Sequence, residues 1–444
     1  MHLKPFLCAC GLLAAPTCAF SSMNDSPLTA DPDATWGQFS NGMRTVLYRN
    51  QTPPGIVTMR LYVGSGSLQE TDQQRGLAHF LEHMAFNGTA HFPAGQMVEY
   101  FQRMGMAFGA DTNAYTSFDQ TVYKLNLPDD SDKTVHDSLT LLRDYVDAMT
   151  LDAGEIERER GVILSEKRTR DTVDYRQIED FYAFTFAGSK LAERLPIGVE
   201  SVIEKAPREL FADFYARWYT PERVVLVVTG DFDIEKMREK IGAIFEQPFK
   251  DKIKNSPDGD FGKLNLSEQE RVRFFPEPQA QAASITLTWM RPYGGHLAKE
   301  DTFTGRVELL KLDAAMQILQ TRVKERLQSD DTPFAEGGAY RMDLPAMQGE
   351  ALCVSLEAKP ENWQRALQWA DMQLRGALKF GFTQDEVQQV RAELDNYYRR
   401  AAEKASTRTS DALANSLVDA IARERVWTHP RENYELFKPV IENL

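Results

Sequence analysis

His79-Phe80-Leu81-Glu82-His83 places two imidazoles four positions apart, with a carboxylate beside them. On a helix, these positions fall at about 0° for His79, 300° for Glu82 and 40° for His83. The two rings therefore share one face, one turn apart, and can bind a single metal ion. Two imidazoles and a carboxylate are donors that suit Zn²⁺, with a fourth position left for water. The plain alternative is a pair of core or surface histidines with no ligand. His91, His136, His296 and His429 each stand alone.

A third ligand has to be Asp, Glu, His or Cys. The densest acidic stretch runs from Glu155 through Glu157 and Glu159 to Glu166. On one helix Glu155, Glu159 and Glu166 lie within about 40° of each other and form a single stripe. A solvated charged face is the ordinary account of such a stripe. The apolar run Val162–Leu164 immediately before Glu166 implies that its surroundings are partly buried. At this point any member of the stripe could complete the set.

These residues need elements to hold them. Alternation and β-branched content predict strands at Arg44–Asn50 and Ile56–Gly64, an extended run over Asn113–Leu127, and a buried strand at Val224–Thr229. Apolar periodicity predicts helices over Leu77–Phe86, Gly95–Met104, Ser131–Met149, Ala153–Phe184, Arg208–Trp218 and Ile234–Phe245. A charged stretch with Gly, Pro and Asn, residues 250–270, reads as a linker. After it the order repeats: strands at Ser284–Met290 and Ala351–Ala358, helices at Val307–Leu327, Trp363–Phe380 and Glu386–Arg423. The turn beginning Asp152-Ala153-Gly154-Glu155 resembles the one beginning Thr383-Gln384-Asp385-Glu386, which points to an internal duplication of about 230 residues. Aligned through Glu386, the second copy has Val390 in place of Glu159 and Tyr397 in place of Glu166, and it has no His-x-x-Glu-His. One metal site in a duplicated scaffold has this distribution. The second copy ends at Val440–Leu444, which resembles the stretch from Val202, so a counterpart of residues 207–249 is missing and the chain is expected to be curtailed.

The 444 residues, 42% hydrophobic and 26% charged, fit a folded chain of two to four domains. A formal charge of −14 and the lack of a basic patch exclude nucleic acid as an expected partner. Met1–Ala19 reads as an export signal, with Lys4 before an apolar core and small residues at Thr17-Cys18-Ala19. The apolar stretch is too short for a stable membrane anchor. Its removal leaves Cys353 as the one cysteine, so disulfides do not hold this fold. Periplasmic localisation is the expectation that follows.

His79–His83 followed by Met84-Ala85-Phe86-Asn87-Gly88-Thr89, then Asn113-Ala114-Tyr115-Thr116-Ser117, then Glu159 and Glu166, resembles the pitrilysin/insulinase/mitochondrial processing peptidase family, the inverzincins. The likeness covers residues 36–444 and is greatest to exported bacterial members. It implies an α+β fold of two homologous repeats, each a mainly antiparallel sheet packed by helices. The organisation it implies is a signal over 1–19, a flexible lead-in over 20–35, a catalytic domain over 36–249 and a non-catalytic repeat over 271–444. It further implies one Zn²⁺ per chain held by His79, His83 and Glu166, with Glu82 as general base and Glu159 orienting a ligand histidine. Phe86 would line a specificity pocket, though a core role is the plain account of it. Asn113, Ala114 and Tyr115 would lie on the strand that receives a peptide or unfolded protein substrate. Family members close a chamber from four such domains, in one chain or two, so a second peptidase half is the implied partner. A quorum-signal lyase shares the His-x-x-Glu-His helix but adds a cysteine ligand, and Cys353 falls in a second-copy strand. A metal-holding, catalytically inactive scaffold or half-subunit is the remaining alternative.

Overall fold

The computed structural model describes residues 28–103, 105–107, 109–253, 259–266, 269–292 and 301–444. The expected signal, Met1–Ala19, and residues 20–27 of the expected lead-in lie outside the described residues. The chain divides into two compact units. One comprises Asp31–Lys263 and Thr407–Trp427; the other comprises Leu264–Ser406 and Thr428–Leu444, with the described residues 28–30.

The unit built on Asp31–Lys263 has a six-stranded sheet of β1 (Ala34–Gln38), β2 (Arg44–Arg49), β3 (Val57–Val63), β4 (Thr112–Thr116), β5 (Thr121–Asn126) and β6 (Val224–Gly230). Their spatial order is β1-β2-β6-β3-β5-β4. β2 and β6 run parallel, and every other neighbouring pair is antiparallel. All residues of β3 and β6 are buried, because both faces of the sheet are covered. One face carries α1 (Leu77–Phe86), α2 (Met97–Arg103), α3 (Asp132–Asp147), α4 (Ala153–Arg170), α6 (Glu200–Ile203), α7 (Arg208–Trp218) and α8 (Ile234–Phe245), while α5 (Val173–Thr185) stacks its Tyr182 on Phe118 of the β4–β5 turn. Met59, Leu61, Leu226 and Val228 join Phe80, Leu81, Leu142 and Phe211 in the core on that side. Each such fully buried side chain contributes about 1.5–3 kcal/mol.

The other face is covered by α12 (Ser410–Ala422), whose Leu413, Leu417 and Val418 pack on Val46, Val122, Val225 and Val227. The segment was expected as the tail of one long second-copy helix. Instead, that helix ends at Glu403, and Thr409 starts a new one by accepting the Ala412 N–H. Arg60, buried mid-sheet, fixes α12 through Asp411 and through a 2.9 Å hydrogen bond to Asn415. The helix expected over Ala153–Phe184 is likewise two. Asp171 and Thr172 interrupt it, and Thr172 caps α5 by accepting from Tyr175 N–H. Hydroxyl and carboxyl side chains that bond nearby backbone offer the chain a local alternative to helix.

The second unit has a three-stranded antiparallel sheet, ordered β7 (Ala283–Pro292), β9 (Gly349–Ala358), β8 (Glu336–Leu344), with α9 (Phe303–Leu327), α10 (Trp363–Phe380), α11 (Gln384–Glu403) and α13 (Pro430–Glu442). The α10–α11 hairpin repeats the α3–α4 hairpin, with Thr383 as N-cap where α4 has Asp152. β8 has no counterpart among the expected strands; Gly337 and Gly338 blunt its pattern. Part of the expected linker is tied to the first unit, since Phe261 O accepts the Lys190 N–H at 2.7 Å.

Glu386 caps α11 and grips Arg322 of α9, which holds its carboxyl down to about 2. A depressed carboxylate stabilises the fold fully above its unfolded value of 4.5, and the contribution is lost as pH falls through the folded value. Glu386→Gln is therefore expected to be less stable than wild type near neutral pH. The gap in denaturant midpoint should close as pH falls from about 4.5 towards about 2.

Candidate metal centre

α1 is buried nearly all round, which a surface helix would not be. It starts at Gly76, at φ 102°, where a Cβ would come within 2.9 Å of Gly198 Cα. Glu70, itself buried, accepts the Gly76 and Ala78 N–H groups at 2.9 and 2.8 Å. These are donors that a helix start leaves without partners. Burial pushes the Glu70 carboxyl up to about 8, against the pull of those two N–H groups.

The His79 and His83 rings lie 4.8 Å apart between centroids. Both Nε2 atoms aim at Glu166 on α4: His79 Nε2 is 3.7 Å and His83 Nε2 3.5 Å from Glu166 Oε2. Arg170, one turn further along α4, pairs with the other Glu166 oxygen. Glu159 Oε1 stands 2.8 Å from His83 Nδ1, and Asn87 donates to Glu159 Oε2 at 2.8 Å. With Nδ1–H given to Glu159, His83 presents a bare Nε2 lone pair towards Glu166. Burial works against the charge on Glu159, yet His83 and Asn87 hold its carboxyl below the usual range. Burial likewise opposes charge on His83, and Glu159, Glu82 and Glu166 outweigh it and push the ring's pKa up. Burial pushes His79 down to about 3, with His83 and Arg170 adding to the effect, so this imidazole is neutral as a metal ligand must be.

The donor set fits zinc. With zinc–ligand bonds of about 2.0–2.2 Å, two donors of a tetrahedral site stand about 3.3–3.5 Å apart. His79 Nδ1 is buried with no hydrogen-bond partner. A buried histidine kept so poorly satisfied is costly unless its other nitrogen has a use. Among the described residues, His79, His83 and Glu166 are the one cluster that could hold a metal ion.

Glu82 faces the same space from α1. It is buried and accepts a 2.9 Å hydrogen bond from Thr116 Oγ1 on β4. Burial raises its pKa, and His83 and Thr116 temper the rise. Phe86 is half-buried and meets the Tyr145 ring edge-on at 5.6 Å, so the core fixes its position. β4 forms the sheet's outer edge. Ser117 N donates to Gln120 O, and Asp111 O accepts from Asn126 N. Odd-numbered residues of β4 thus turn their backbone to β5, and Ala114 presents its N–H and C=O to the free edge. Asn113 Oδ1 accepts that N–H at 2.9 Å. Ala114 faces α1, while Asn113 and Tyr115 point to the opposite face, towards α12.

Sequence reasoning did not single out Thr116, Asn87, Arg170 or Glu70 as part of the site. Two had a readable signal: Asn87 follows His83 by four residues and Arg170 follows Glu166 by four, both neighbours on a helix face. Glu155, in the expected acidic stripe, pairs instead with Arg158. His91 is bound to Asp144 at 2.9 Å, and His429 caps α13.

The family model described as Insulinase (Peptidase family M16) matches residues 45–195, and that described as Peptidase M16 inactive domain matches residues 205–394. The chain belongs to peptidase family M16, the insulinase family. Among M16 relatives, the probable zinc protease PqqL of Escherichia coli is 28% identical over 93% of this chain and 43% of its own length. The probable zinc protease PqqL of Haemophilus influenzae is 25% identical over 99% of this chain and 46% of its own. The chain thus spans less than half the length of these two. The crystal structure of the first half of the periplasmic protease PqqL from Escherichia coli superimposes with TM-score 0.84 at 27% identity, covering 94% of this chain and 88% of that one. The fold is accordingly the M16 fold of two α+β repeats. Among the described residues, no helix is long and apolar enough to cross a membrane.

Proposed function

We propose that this chain is the catalytic half of a zinc-dependent endopeptidase that cleaves peptides or small unfolded proteins. The observation that carries it is the convergence of His79 Nε2, His83 Nε2 and Glu166 Oε2 beside a buried, hydrogen-bonded Glu82. His79, His83 and Glu166 would hold one zinc ion, which supplies Lewis-acid activation of water and of the scissile carbonyl. Glu82 takes the proton of the attacking water and passes it to the leaving amine. Thr116 holds Oε2 and leaves Oε1 for that proton. The raised pKa of Glu82 brings it closer to the range in which a carboxylate both takes and returns a proton. Glu159 keeps His83 in the tautomer that binds metal. A substrate adds as an extra strand at Ala114, which requires unpaired backbone and so selects unfolded segments. Export to the periplasm after loss of Met1–Ala19 fits relatives described as periplasmic proteases.

A second reading, a metal-holding half-subunit that needs a partner half to turn over, is favoured by the share of its relatives that this chain spans. Zinc loading is expected to give one ion per chain and cleavage of an unstructured peptide, stopped by a chelator and restored by zinc. Full zinc uptake without cleavage favours the half-subunit, and no zinc uptake sinks both.

A further inference from the structure

On the face of the β4–β5 hairpin turned away from the metal centre, α12 and the two strands border an open-sided cavity of about 260 Å³. Tyr115, Val122, Lys124, Asn415, Val418 and Asp419 line it. Lys124 is the unusual member. Its ammonium makes no ion pair or hydrogen bond among the described residues and rests over the Tyr115 ring, 4.8 Å from the centroid. The local acids are already committed: Asp411 to Arg60, and Asp419 to Arg423 at 2.8 Å. Burial, helped by Arg60, lowers the pKa of Lys124, as befits a half-buried cation short of a counter-charge.

The position of that cation matters. Lys124 lies on β5 opposite Asn113, and its ammonium rests over the ring of Tyr115, a residue of the outermost strand. A strand added at the free edge lies about 4.8 Å further out. Its residue opposite Ala114 turns its side chain to the α1 face, where the metal centre is. The residues on either side of it, opposite Asn113 and Tyr115, turn theirs to the α12 face. We propose that the cavity under α12 is a side-chain pocket for a peptide bound along β4, and that Lys124 selects an acidic residue there. The inference depends on strand addition at β4, as in the proposed function. It adds an alternating rule: carboxylates are favoured at positions facing away from the metal centre, and at no others.

The test uses peptides with Glu, Ala or Lys at each position around the cleaved bond. Wild type should favour Glu over Lys by about tenfold in kcat/KM, the scale of a hydrogen bond to a charged group, on one alternating set of positions. Lys124→Gln should flatten the preference, and Lys124→Glu should invert it. The same labelled peptides are also read by fluorescence anisotropy on the Glu82→Gln protein with and without each Lys124 change. Binding that follows the alternating rule without any cleavage by wild type sinks the peptidase reading and upholds the pocket. A preference that is absent, falls on the other set, or survives both substitutions overturns the pocket. Matching circular dichroism spectra exclude misfolding as the cause.

Discussion

Glu82→Gln is expected to lower kcat for peptide cleavage by about 10²–10⁴-fold, the usual contribution of a general base, with zinc content and KM unchanged. Glutamine has the shape of glutamate, and its amide oxygen still accepts from Thr116 Oγ1. What it lacks is a site for the proton. The atoms that converge belong to His79, His83 and Glu166, so on the proposed ligand set no metal bond is removed. Stability supplies a control with a definite sign. Burial disfavours the charge on Glu82, so the neutral amide should raise the melting temperature or leave it alone. Activity, metal analysis and thermal melts on the protein as its gene encodes it check all three. Wild-type turnover in the variant would remove Glu82 from the chemistry. Loss of zinc would instead make it a ligand.

How far the sequence reaches depends on how local each signal is. The bounds of α1, α7, α8 and α10 follow from apolar periodicity next to Gly76, Pro207, Asp233 and Asn362, all within one turn of the helix start. The two broken helices were not legible as breaks. Asp171-Thr172 and Thr407–Thr409 are polar but helix-compatible, and only their capping bonds reveal the stop. β1 carries an exposed pattern with a single buried residue, so it has no alternation to read. That α12 covers the sheet of the first unit could not be inferred, since nothing in residues 410–422 names Val122 or Val225 as its neighbours. The site follows the same rule. His79, Glu82 and His83 share one helix turn, and Glu159 and Glu166 share one face of α4, so spacing alone makes both sets visible. That Glu159 meets Nδ1 of His83 while Glu166 meets Nε2 of both rings is a matter of how α1 packs on α4. Thr116 reaches Glu82 across 34 positions of sequence, and only the fold of β4 against α1 accounts for it.

The proposed roles of Glu159 and Glu166 give the sharpest test of a ligand against a group that orients one. They lie two turns apart on the same helix, and both contact His83. Glu159 reaches the nitrogen that faces away from the converging donors and is tied to Asn87, so its loss should loosen the ring without removing a donor. Glu159→Gln is expected to weaken zinc binding by about 10–100-fold and to recover most of its turnover at saturating zinc. On the proposed ligand set, Glu166→Gln removes one of three donors and its charge together. It also leaves Arg170, now without its carboxylate partner, facing two imidazoles that must receive a cation. Its zinc affinity should therefore fall beyond the about 100-fold range of an orienting residue, and excess zinc should not restore turnover. Competition against a chromogenic chelator measures both affinities, and cleavage across a zinc titration measures the rescue. Equal losses at the two positions, or rescue of Glu166→Gln by zinc, would overturn the assignment of Glu166 as the third ligand.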